Sequence, residues 1–153
     1  MDVSGGTDGD LGDRPTWFGG CLSSDWRKVC AQGVSAFFFT TEGDNRVWAY
    51  DTENEHLGVV YDADAPLNGV DNITGTPSGD LYVAEDGGDM QINLITPERI
   101  VIPVLRIAGH ARSEITGPAF SPGGDRLHFS SQRGARGDAA GAGGVTSIKR
   151  ESG

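Results

Sequence analysis

The chain repeats itself, and the repeat narrows its possible folds more than any other feature. "FFFTTEGDNRVWAYDT" (37–52) matches "LYVAEDGGDMQINLITP" (81–97) in kind along its length, with one gap. Each copy has an apolar run, small residues, an acid, a Gly-Asp turn and a second run. Phe37 falls on Leu81, Thr41 on Glu85, Glu42 on Asp86 and Gly43 on Gly87, each 44 residues later. "TGTPSGDLYVAEDGG" (74–88) matches "AFSPGGDRLHFSSQRG" (119–134) in turn. Pro77 falls on Pro122, Gly79 on Gly124, Leu81 on Leu127 and Glu85 on Ser131, at 45 or 46 residues. A period of this length is that of a four-stranded propeller blade.

The pattern predicts an all-β chain. The fullest unit spans 69–107, with strands near 70–76, 80–85, 90–95 and 99–107. Its last strand, "RIVIPVLRI", is rich in β-branched residues, and Pro103 marks it as an outer or edge strand. A partial unit over 31–62 holds "SAFFFTT", "RVWAY" and "HLGVVYD". Another over 113–149 holds "EITGPAF", "DRLHFSS" and a weaker "GVTSI", and "SIKRESG" does not read as a regular strand. The turns "PSGD", "PGGD" and "EGDN" are hairpin chemistry. Glycine, at 24 of 153 residues, fits many short strands joined by tight turns. The expectation is a β-propeller fragment of two to three four-stranded antiparallel blades, mostly within 31–134. Residues 1–30 read as a poorly ordered segment, and 135–144 as a flexible Gly/Ala loop. Propellers have about 4 to 8 blades. The expected partners are therefore missing blades or further copies of the chain.

The formal charge of −10 opposes a nucleic-acid partner. No run of 18 apolar residues predicts a membrane span, and no signal peptide is visible after Met1. Cys21 and Cys30 fit neither a CxxC redox pair nor a zinc knuckle; a disulfide and two unrelated thiols both remain open.

"FFFTTEGDNRVWAYDT", "GVDNITGTPSGDLYVAEDGGDMQI" and "GHARSEITGPAFSPGGDRLHFSSQRG" together resemble the C-terminal blades of the PhoX-type alkaline phosphatase family. The resemblance runs from Phe37 to Arg133. It implies a six-bladed propeller that hydrolyses small phosphoesters with calcium and iron and is exported by the twin-arginine route. The chain departs from the family pattern before "AFFFTT", where "VCAQGVS" stands in place of an expected Gly-Glu-Gly.

On this resemblance Glu114, Asp71, Asn72 and Glu85 are candidate metal ligands, and Arg112 and Arg133 weaker candidates for phosphate. The residues themselves support two readings each. Adjacent Asp71 and Asn72 at a strand entrance offer oxygens to a hard cation, or form an Asx-turn. Glu114, directly before the apolar strand "ITGPAF", needs a cation or an arginine partner. Glu85 has the parity of Leu81 and Val83 and should face their side. Asp86 reads first as a turn former. His110 and Arg112 read as loop residues that could reach an anion. Phe37, Phe39, Trp48, Tyr50 and Phe129 read as core between blades. Three functions stay open: a metal-dependent phosphoesterase, a lactonase or sugar-acid propeller with one divalent ion, and a non-catalytic binding or structural piece.

Overall fold

The computed structural model describes residues 17–20, 36–52, 54–63, 66–76, 78–137 and 145–149. Most of the segment 1–30, both cysteines and the greater part of the Gly/Ala loop lie outside this set. The described residues form eleven strands and no helix: β1 Trp17–Gly20, β2 Ala36–Thr41, β3 Arg46–Asp51, β4 His56–Asp62, β5 Val70–Gly75, β6 Leu81–Glu85, β7 Gln91–Ile95, β8 Val101–Arg106, β9 Ile115–Phe120, β10 Arg126–Ser131 and β11 Val145–Lys149.

Three antiparallel sheets result, each built from consecutive strands: β1-β2-β3-β4, β5-β6-β7-β8 and β9-β10-β11. In the second sheet each strand expected from sequence is present, with ends trimmed by one or two residues. β8, which carries Pro103, is an edge strand, as the missing proline N–H requires. Two expectations are corrected. Trp17–Gly20, inside the segment expected to be poorly ordered, forms β1 and completes the first sheet by pairing with β2. "SIK" continues β11, because Ile148 and Lys149 pair with Leu127 and Arg126 of β10.

The repeat survives as backbone detail. Val60 bulges out of β4 and Val104 out of β8, 44 residues apart. Asp71 and Asn72 together oppose Ala84, and Gly117 and Pro118 together oppose Phe129, 46 residues later. Each bulge bends its strand and re-aims a side chain. The last residues of β2, β6 and β10 (Thr41, Glu85 and Ser131) are all buried polar groups.

The middle sheet is covered on both faces. Leu81, Val83 and Ile95 join Phe38, Val47, Ala49, Val60 and Tyr61 in one apolar cluster. On the opposite face Ala84 and Ile92, with Tyr82 beside them, join Ile115, Leu127 and Phe129 in a second. Period-two alternation therefore feeds two interfaces from one strand. Each fully buried large side chain contributes about 1.5–3 kcal/mol. The sequence-predicted aromatics divide. Phe129 sits in the second cluster, whereas Phe39 and Trp48 stack outside both at 6.4 Å, and Phe37 is 42% exposed.

Polar links align the sheets. Asn45 accepts from the Val70 N–H at 3.0 Å and donates to the Leu67 carbonyl at 3.2 Å. The Thr40 hydroxyl donates to the Asp71 carbonyl. β5 packs against β1 and β2 on one side and β9 on the other.

Candidate cation site

Four chain segments meet where β5 and β9 begin. The Asp86 N–H donates to the Gly69 carbonyl at 2.8 Å, and the Gly87 N–H to the Ser113 carbonyl at 3.1 Å. Asp86 and Glu114 form an isolated antiparallel bridge. Gly69 makes this approach possible. Its φ is +70°, and a Cβ there would stand 2.8 Å from the Asp86 carbonyl oxygen. The turn after β6 is thus tied both to the entrance of β5 and to the entrance of β9.

This backbone gathers carboxylates. Asp71 is buried, with 9% of its surface exposed. Burial pushes its pKa up to about 7; a hydrogen bond from Asn72 opposes the rise, and the charges of Glu114, Glu42 and Asp86 add to it. Glu114 is also raised, first by burial and then by Asp86, with Arg133 acting against both. The arginine lies 3.3 Å from Glu114 Oε2 and 3.7 Å from Asp86 Oδ1. Four acids therefore act on one another, with one guanidinium between two of them. Burial and like charges both oppose ionisation.

The remaining predicted residues are placed differently. Asn72 spans two sheets: its Oδ1 accepts from the Gly117 N–H at 3.1 Å. That bond occupies the oxygen a cation would need. Glu85 is buried on the side of Leu81 and Val83, as its parity requires. Its carboxylate accepts from the Asn68 N–H, the Gln91 N–H and Asn93 Nδ2, all at 3.1 Å. These donors pull its pKa down while burial, the larger effect, raises it. Glu85 thus ties the segment before β5 to β7. Arg112 is exposed. Its backbone and Cβ are approached by Gly137, where any side chain would collide with Arg112 Cβ at 2.5 Å.

Sequence reasoning missed two members of the cluster. Glu42 and Asp86 occupy one position of the repeat, and that equivalence was the available signal. It also missed a hydroxyl chain behind Arg133. The Ser113 hydroxyl accepts from the Arg133 N–H at 2.8 Å and from Ser131 at 2.9 Å, and His110 Nδ1 stands 2.7 Å from Ser131 Oγ.

Comparison with protein-family models, with curated proteins and with solved structures returned no match.

All-oxygen donors suit a hard cation such as calcium. Among the described residues no group of three His, Cys, Asp or Glu side chains is close enough together to hold an ion. The donor chemistry fits calcium, but these residues alone do not enclose it. For iron they offer no soft or nitrogen ligand, and the resemblance alone suggests that metal.

Proposed function

We propose that the three sheets are consecutive blades of a β-propeller and that the carboxylate end is its channel end. In the intact protein that end binds a divalent cation of the calcium type, and the cation holds the phosphate of a small phosphoester. The single observation that carries this reading is the meeting of Asp86 and Glu114 beside Arg133 at the entrance of β9, with buried Asp71 raised by burial and by the charges of Glu114, Glu42 and Asp86. These acids act on one another unfavourably, and a bound cation would relieve that repulsion. Stacking of the middle sheet through both faces, with β5 between β1 and β9, supports the blade assignment. Iron, export and phosphoester hydrolysis rest on the family resemblance.

Within this proposal Asp71 and Glu114 supply oxygens to the ion. Arg133 competes with it for Glu114 and, once displaced, is free to meet a phosphate oxygen in a bidentate fork. The cation would supply charge neutralisation to the substrate. Because these residues do not enclose an ion alone, the chain binds calcium weakly and turns over phosphoester negligibly.

The test is positional. Calcium should raise the melting temperature of the wild-type chain and of Glu98→Gln, an exposed control. In Glu114→Gln the rise should be lost. Equal responses in both variants would leave only a diffuse acidic surface.

A further inference from the structure

Among the described residues the third sheet has one strand fewer than its neighbours. β1–β4 and β5–β8 each make a sheet of four, whereas β9, β10 and β11 make a sheet of three. β3 and β7 hold the third position in their sheets, and each is paired on both sides, with β4 or β8 as the outer partner. β11 holds the same position and, among the described residues, pairs with β10 alone. Its outer edge presents backbone N–H and C=O groups that can template a further strand.

Two rows of side chains run out to that edge, one on each face. Toward the second apolar cluster lie Leu127 and, opposite it, Ile148. The matching row of the middle sheet is Leu81, Ile95 and, in its fourth strand, Val101. Val101 packs on the first cluster and completes that row. On the far face of the third sheet Arg126 stands directly opposite Lys149, and both are exposed. Like charges so placed repel each other. Neither makes an ion pair among the described residues. Asp125 offsets part of this charge. Its pKa is held below the usual carboxylate range first by a hydrogen bond from Ser121, and to a smaller extent by Arg126 and Lys149. Two cations thus share one carboxylate.

The middle sheet is exposed where a fourth strand of the third sheet would lie. Ile102 pairs with Leu94 and Leu94 with Tyr82, which packs on the second cluster. Ile102 therefore faces the third sheet, with Ile100 two residues earlier on the same side. The two are 44% and 58% exposed. Val101, on the side of the four-stranded first sheet, is half-buried. β8 is thus covered on the side of the sheet with four strands and bare on the side of the sheet with three.

We propose that the outer edge of β11 binds an extended peptide segment whose side chains alternate between apolar and acidic. The segment adds antiparallel, as all the paired strands here are, and its main chain takes the open edge groups. An apolar side chain opposite Ile148 lengthens the Leu127–Ile148 row toward Ile100 and Ile102. The acidic positions then fall on the far face, one of them opposite Lys149 and near Arg126. The inference rests on strand count and side-chain rows and is independent of the cation reading.

The experiment uses the full chain, ¹⁵N-labelled, titrated with an acetylated hexapeptide amide of alternating glutamate and valine. Saturable shifts are expected at the amides of 145–149 and of 100–102. A peptide with lysine in place of glutamate should bind about fivefold more weakly. The double variant Arg126→Glu, Lys149→Glu should reverse that preference, and Lys149→Glu alone should remove it; both positions are exposed, and thermal melts check that the fold is kept. Ile102→Asn should weaken the glutamate–valine peptide about threefold. The proposal is overturned if no saturable shift appears, if shifts appear at β4 or β8 without β11, if the two peptides bind the wild-type chain equally, or if the double variant keeps the wild-type preference. A free chain that sediments as a dimer with its β11 amides already protected from exchange would assign the edge to a second copy and overturn it as well.

Discussion

Glu85 and Asp71 lie at the same open end of one hairpin, where Val70 pairs with Glu85, and both are buried acids, yet they are treated in opposite ways. Glu85 is met by three N–H donors and, among the described residues, by no paired cation. The Asp71 carboxylate receives a hydrogen bond from its neighbour Asn72 and feels the charges of three further carboxylates. The first is an acid used as mortar: its oxygens collect donors from the segment before β5 and from β7. The second is an acid kept at a disadvantage. The pair teaches that burial alone does not mark a site. What distinguishes one is burial without compensation.

The largest expected effect falls on the compensated acid. Glu85→Leu strands one buried and two half-buried donors and should destabilise the chain by about 3 kcal/mol, read from urea unfolding. If it unfolds no more easily than wild type, the two acids are not different in kind. Asp71→Asn should act in the other direction. Between the ordinary carboxylate range and about pH 7 the folded form holds the Asp71 proton and the unfolded form does not. Stability therefore falls as pH rises through that window. Asp71→Asn should gain about 1 kcal/mol at pH 8 and nothing at pH 4, flattening the decline in thermal melts.

A smaller effect is expected at the shared arginine. Arg133→Gln leaves Glu114 and Asp86 facing each other and should lose about 0.5–1 kcal/mol at pH 7.5. The loss should shrink at pH 4.5, because the raised Glu114 carboxyl takes up a proton as pH falls, and urea titrations at the two pH values check it. The smallest is at Glu42, an exposed acid on the edge of the cluster. Glu42→Gln should stabilise by a few tenths of a kcal/mol in low salt and by nothing measurable at 1 M NaCl. A stabilisation that survives high salt would remove Glu42 from the cluster.

Much of the architecture was legible because strand chemistry is local. Alternation along "LYVAE" and the turn residues around it fixed β6 and β7 to within a residue. β1 was not legible: "WFGG" is four residues with two glycines, and its strand state depends on pairing with β2. The candidate site divides in the same way. Glu85's side of the sheet followed from parity, but its partners Asn68, before β5, and Gln91, the first residue of β7, are not set by any period. Glu114 was singled out by its place before an apolar strand. Its contact with Arg133 and its bridge to Asp86 depend on how two turns meet, which no local pattern encodes.

The strand order has a kinetic consequence. Every paired strand is bonded to its neighbour in sequence, so each sheet can close before the next has been synthesised. Short-range pairing lowers contact order and speeds folding. The middle sheet then leaves the ribosome with a finished surface to condense on, and offers its second face to β9 and β10 as they follow. A chain built this way assembles by accretion. A lesion in β2 or β3 should delay everything after it, whereas one in β11 should leave the first two layers to form on time.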